Sequence, residues 1–333
     1  MKAMLLERRG PLGAGSLALR AVPDPVPRDD EILVRVRACG ICRTDLHVIE
    51  GDLPEARLPV VPGHQIVGIV EGSGSACRRF RAGDRVGIAW LRSTCGACDL
   101  CRSGAENLCP ASRYTGYHED GGYAELATVR ESFAYAMPDA FGDADGAPLL
   151  CAGIVGYRAL QRSRIRPGGR LGLFGFGSSA HVVFQIAKHR GCEVFVATRG
   201  EAHRALASAM GAAWAGDTYD PPPAPLDSAI VFAPAGEVVP AALRAVRKGG
   251  TVALAGIHMS SVPSMSYEEH LFHEKTLTSV EANTKADGEA LLREAAAAGI
   301  RPRVTTFALE RANEALLGLK GDGLSGSGVL LVP

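Results

Sequence analysis

One stretch, "ICRTDLHVIEG" at residues 41–51, crowds Cys42, Arg43, Thr44, Asp45 and His47 together. By residue type alone, Cys42 is a nucleophile served by His47, a metal ligand, or a buried thiol with chance neighbours. A second group, "TCGACDLCRSGAENLC", sets Cys95, Cys98, Cys101 and Cys109 in the spacing CxxCxxCx7C. Four thiolates separated by short turns containing Gly96 and Gly104 can close around one tetrahedral ion. Because sulfur fills every position, such a site has no opening for a substrate and is structural. Zinc ribbons that bind nucleic acid share this pattern, but 36 Lys plus Arg against 36 Asp plus Glu leave no basic excess for that role. Cys42, His64 in "PGHQ" and Cys151 in "LLCAGIVGY" make a third set. Two cysteines and a histidine match a catalytic zinc that keeps its fourth position open.

A further chemical signal is "GFGSSA" at 175–180, which follows an apolar strand and opens a helical pattern. Gly175 allows a tight turn and Gly177 lets the backbone approach a pyrophosphate, which the first N–H groups of the helix, at Ser178 and Ser179, then face. Ala180 takes the third position, which needs only a small residue. At the end of the next strand, where an acid usually holds the ribose of NAD, stand Thr198 and Arg199. A hydroxyl beside a guanidinium suits a 2′-phosphate, so the sequence favours NADP over NAD.

The elements that must position these residues fall into two textures. Up to about residue 150, short runs rich in valine and isoleucine ("EILVRVRA", "QIVGIVEG", "DRVGIAW") are separated by turns. From about 152 onward strands and helices alternate: "RLGLFGFG", "SSAHVVFQIAKHR", "CEVFVAT", "EAHRALASAMGA", "SAIVFAP", "EVVPAALRAVRKGG" and "TVALAG". Near-continuous apolar strands alternating with helices predict an α/β domain with a doubly wound parallel sheet. The 333 residues suit roughly two domains. No run of about 18 apolar residues is present to span a bilayer. The beginning "MKAMLLERRG" has no apolar core of a signal peptide, so the expectation is a soluble cytoplasmic protein without membrane or nucleic-acid partners. Nine cysteines, an odd number, do not read as a disulfide framework; Cys39, Cys77 and Cys192 read as small buried residues.

Taken in order, "GICRTDLHVIEG", "VPGHQIVG", "GDRVGIAW", the cysteine cluster, "APLLCAGIVGYRAL" and "GFGSSA" resemble the zinc-dependent alcohol dehydrogenases of the medium-chain dehydrogenase/reductase superfamily. The resemblance implies a catalytic domain with a GroES-like β-barrel core, residues 1–153 and 286–333, with a structural zinc lobe at about 91–112. It implies a Rossmann domain inserted at 154–285. It further implies two zinc ions per chain, NADP or NAD as cofactor, an alcohol or aldehyde as substrate, and a homodimer or homotetramer. By the same resemblance Thr44 and His47, three positions apart on one helical face, carry the proton. Asp45 orients His64, Arg43 meets the cofactor pyrophosphate, and Trp90 narrows the alcohol pocket. Two positions depart from the family: Gln65 replaces a glutamate beside the histidine ligand, and Ser327 stands where an arginine often helps hold the pyrophosphate. A polyol or sugar-alcohol dehydrogenase, or a zinc-stabilised cofactor-binding protein without turnover, would share most of these residues.

Overall fold

In the computed structural model, which describes residues 1–53, 57–321, 323–324 and 326–333, alternation in "EILVRVRACG" becomes a strand with one face in the core. Ile32, Val34, Val36 and Ala38 are fully buried while Arg35 and Arg37 point outward. This strand, Glu31–Gly40, is central to a seven-stranded sheet. Along the sheet the order is Val304–Ala308, Ser327–Leu331, Glu31–Gly40, Gln65–Ser73, Arg85–Ile88 and Ala134–Ala136, with Leu126–Arg130 also paired to Glu31–Gly40. Pairing is antiparallel except between the two C-terminal strands. The register Gly40↔Gln65 does more than join two strands. It brings the residues that follow Gly40 beside those that precede Gln65, so Cys42 and His64 emerge at one end of the sheet.

A two-stranded ribbon, Leu91–Ser93 with Arg113–Tyr114, closes the base of the cysteine lobe. Met1–Ala152, Thr284–Ala296 and Arg301–Pro333 form one compact unit, and Gly153–Asn283 with Ala297–Ile300 form another.

The second unit carries a six-stranded, all-parallel sheet. Its order is Trp214–Gly216, Glu193–Ala197, Arg170–Phe174, Leu226–Val231, Val246–Leu254 and Thr276–Ser279, which is third, second, first, fourth, fifth, sixth in the chain. That order reverses direction between Arg170–Phe174 and Leu226–Val231, the place where open α/β sheets bind ligands. Helices Ser178–His189, Glu201–Ala209 and Val238–Ala245 alternate with the strands. The helix expected across "EVVPAALRAVRKGG" is shorter than its sequence suggests. It stops at Ala245, and β-branched Val246, buried in the core, begins the strand Val246–Leu254 instead.

Candidate functional site

Cys42 is the N-cap of the helix Arg43–Glu50: its sulfur accepts the backbone N–H of Thr44 at 3.2 Å. Asp45 completes the cap by accepting the Cys42 N–H at 2.9 Å. Gly51 ends the helix in the left-handed region, at φ 90°, and donates its N–H to the His47 carbonyl. One turn therefore fixes the sulfur and the carboxylate together. His64 precedes the strand Gln65–Ser73 and is wholly buried; Cys151 follows the buried turn Ala147–Leu150.

The three side chains converge. Cys42 Sγ lies 3.9 Å from Cys151 Sγ, and His64 Nε2 lies 3.3 Å from Cys151 Sγ. Ligands at the usual zinc distances stand about 3.8 Å apart for two sulfurs and about 3.6 Å for sulfur and nitrogen in a tetrahedron. The donor set fits such an ion in both chemistry and spacing. Electrostatics agree. Burial alone disfavours a charged His64, yet the Asp45 carboxylate and the Cys42 sulfur overcome it and raise the imidazole to about 10. A hydrogen bond from Cys151 holds Cys42 well below the ordinary thiol value against the opposing effect of burial, while Cys151 is pushed well above it.

Behind His64, its Nδ1 lies 3.2 Å from Asp45 Oδ1, close but poorly aligned for a hydrogen bond, and has no other partner among the described residues. Both groups are almost fully buried. On the other side, Trp90 meets the His64 ring edge-on at 4.9 Å and stacks on Tyr114, also at 4.9 Å. Gln65 is buried with its side chain over Gly40, whose missing Cβ would come within 2.9 Å of the Gln65 amide carbon. Thr44 is buried, with Oγ1 3.3 Å from Cys42 Sγ. His47 is only partly exposed, and its Nδ1 pairs with Asp52 Oδ2 at 2.7 Å. Arg43 is exposed. Asp52 escaped the sequence reading, as did Tyr123, whose hydroxyl donates to Asp45 Oδ2 at 2.8 Å. The first sits past the helix end and the second is remote in sequence, so no local spacing announced either.

The four cysteines also converge. Their sulfurs lie within 4.8 Å of one another, with Cys95 3.5 Å from Cys109 and 3.9 Å from Cys101. N–H groups of Ala97 and Cys98 point at the Cys95 sulfur and lower it to about 6. Gly96 and Gly104, at φ 69° and 75°, make the turns between the cysteines.

In the second unit Gly175 ends the strand Arg170–Phe174 at φ 92°, and a Cβ there would come within 2.9 Å of the Ala233 nitrogen. Gly177 is the N-cap of Ser178–His189, and among the described residues nothing lies within 4 Å of the place a Cβ would take. Ser178 and Ser179 supply the first helical N–H groups, and Ala180 is fully buried. Thr198 and exposed Arg199 follow the strand Glu193–Ala197. Arg204, which the sequence reading overlooked, clamps their carbonyls at 3.0 and 2.8 Å and meets Asp217 at 3.3 Å. Ser327 is buried at the start of the last strand, its N–H on the Arg303 carbonyl.

Residues 28–139 match the family described as "Alcohol dehydrogenase GroES-like domain", and residues 180–297 match "Zinc-binding dehydrogenase". A probable alcohol dehydrogenase, AdhA, of Mycobacterium tuberculosis is 50% identical over 337 residues, covering 100% of this chain and 97% of the relative. An alcohol dehydrogenase of Geobacillus stearothermophilus is 35% identical over 324 residues, covering 95% of each chain. Among solved structures, a putative zinc-binding dehydrogenase from Sinorhizobium meliloti bound to NADP superposes with a TM-score of 0.87 at 27% identity, covering 99% of this chain and 98% of that one.

Proposed function

The chain belongs to the zinc-type alcohol dehydrogenases of the medium-chain dehydrogenase/reductase superfamily, and from that premise we propose that Cys42, His64 and Cys151 hold the zinc ion at its reactive centre. The observation that carries this assignment is the meeting of two sulfurs and one imidazole nitrogen at tetrahedral spacing. When bound, zinc supplies a Lewis acid for an alcohol or carbonyl oxygen, and the nicotinamide exchanges a hydride with the substrate carbon.

The chain's own residues do the rest. Held by these three residues, such an ion would keep one coordination position for an alcohol or carbonyl oxygen. Thr44, buried beside Cys42, holds the substrate proton at Oγ1, and His47 passes it outward. Partial exposure and the Asp52 partner suit His47 to exchange that proton with water. Asp45 keeps the proton on His64 Nδ1 so that Nε2 faces the ion. Trp90, itself buried and stacked, gives the pocket a rigid aromatic wall that favours slender substrates.

We assign a second, structural ion to Cys95, Cys98, Cys101 and Cys109, making two per chain, with the first unit as the catalytic domain and the second as the cofactor domain. Gly175, Gly177, Ser178, Ser179 and Ala180 cradle the cofactor pyrophosphate. Thr198 and Arg199 select NADP, a reading supported by the absence of an acid at the strand end and by the NADP found in the Sinorhizobium relative. A homodimer or homotetramer is supported by exposed Ile257, Val262, Tyr267 and Phe272, which precede the terminal strand Thr276–Ser279 of the parallel sheet. Among the described residues no helix is long and apolar enough to cross a membrane; a cytoplasmic enzyme is the reading we adopt.

The experiment is turnover of primary alcohols, secondary alcohols, polyols and aldehydes with NADP(H) and NAD(H). Aldehyde-dependent NADPH oxidation, faster with slender substrates than with polyols, is expected. Turnover with none of them would refute catalysis.

A further inference from the structure

Tyr123 is fully buried, and two features tie it to the zinc ligand His64 from different directions. Its hydroxyl donates to Asp45 Oδ2 at 2.8 Å, the carboxylate whose other oxygen faces His64 Nδ1 at 3.2 Å. Its ring lies against Gly63, the residue before His64: a Cβ on Gly63 would stand 2.3 Å from the Tyr123 ring. Gly63 is held at φ 95°, a conformation that admits glycine. The backbone adds a splint. Gly121 N–H donates to the Val61 carbonyl at 2.7 Å, Gly122 N–H to Gly63 at 2.9 Å, and Tyr123 N–H to Pro62 at 3.0 Å. Asp120 Oδ1 accepts the Val61 N–H at 3.0 Å. Gly121 and Gly122 must lack side chains for this approach, since a Cβ would fall 2.0 Å from the Gly63 oxygen or 2.3 Å from Ile66 Cγ1. The stretch Asp120–Tyr123 therefore lies along the backbone that delivers His64.

We propose that Tyr123 is a positioning residue for the metal centre: its hydroxyl fixes Asp45, and through Asp45 the ring of His64, so that the site retains its ion. This rests on the reading that Cys42, His64 and Cys151 hold zinc. The Asp45 carboxylate has two oxygens and three claims on them. Tyr123 O–H and Cys42 N–H both donate to Oδ2, leaving Oδ1 for His64. Without the phenol, Oδ2 keeps one donor, and the carboxylate is free to turn about its Cβ–Cγ bond and release the imidazole. A phenylalanine would fill the same space against Gly63, so the hydroxyl can be tested apart from the packing.

The test is release of zinc from the loaded protein into excess EDTA, with metal counted over time. The ion missing from Cys151→Ser identifies the three-ligand site, and the four-cysteine ion serves as internal reference. In Tyr123→Phe the three-ligand ion should leave roughly tenfold faster, the scale on which the partners of metal ligands act, while the reference rate stays unchanged. In the Asp45→Asn background Tyr123→Phe should add little, because the phenol acts through that carboxylate. An unchanged rate, equal acceleration of both ions, or full additivity with Asp45→Asn would overturn the proposal. If Tyr123→Phe does not fold, 3-fluorotyrosine at position 123 keeps the shape and strengthens the donor. Slower release would then support the proposal, and unchanged or faster release would overturn it. Wild-type and Cys151→Ser proteins with equal zinc content would instead refute the metal assignment itself, and this proposal with it.

Discussion

By residue type Cys42 has three possible uses, and its surroundings support the one we propose, a metal ligand. Its sulfur caps a helix, accepts the Thr44 N–H and meets Cys151 and His64, whereas His47 turns toward Asp52. A nucleophile needs its base within reach, and this one has metal-ligand geometry instead. Thr44 is the side chain best placed to test the proton path, being buried beside the ligand sulfur without being a ligand. Thr44→Val keeps its shape, so kcat should fall by about 10² while zinc content is unchanged. A kcat within twofold of wild type would remove Thr44 from the path. Cofactor choice is likewise a matter of one residue. Arg199→Asp should raise the KM for NADPH far more than that for NADH, through repulsion of the 2′-phosphate; equal changes would refute the NADP assignment. The candidate ligands stood out in the sequence because cysteine and histidine are scarce and chemically distinctive. Tyr123 was not, because its role arises only when position 123 is brought beside position 45.

At the scale of elements, the sequence spoke through periodicity and turn residues. The alternation in Glu31–Gly40 and the apolar runs of the parallel sheet announced the strands, and "GFGSSA" announced a strand–turn–helix. Local pattern failed where a helix passes directly into a strand: alanine and arginine in "AALRAVRKGG" favour helix, yet the core claims Val246. Pattern also says nothing of how one loop braces another. Glu131 is an example, accepting the backbone N–H groups of Arg78, Arg79 and Phe80 at 2.9, 2.5 and 2.9 Å. Burial is the largest single effect and works against its charge, but the three donors together outweigh it and hold the carboxyl below its ordinary value. A lowered carboxyl stabilises the fold above the unfolded pKa and loses that effect as pH falls through the folded one. Glu131→Gln should therefore lower Tm at pH 7, and the difference from wild type should shrink below about pH 4. A difference independent of pH would show that charge is not what the loop uses.

For the whole molecule, two chemistries reside in two kinds of sheet. The mixed sheet of the first unit sets two of the proposed ligands by register, since Gly40↔Gln65 fixes Cys42 against His64, and the turn Ala147–Leu150 delivers the third, Cys151. The parallel sheet of the second unit presents a glycine turn at its reversal point. Family membership ties both to one reaction, and the three-ligand zinc is the hinge of that account. The most direct measurement is metal content and alcohol-dependent NADP+ reduction on the same preparations of wild type and Cys151→Ser. Wild type should carry two zinc ions per chain and turn over. Cys151→Ser should carry one, with turnover abolished and the fold retained. Two ions and undiminished turnover in Cys151→Ser would contradict the account.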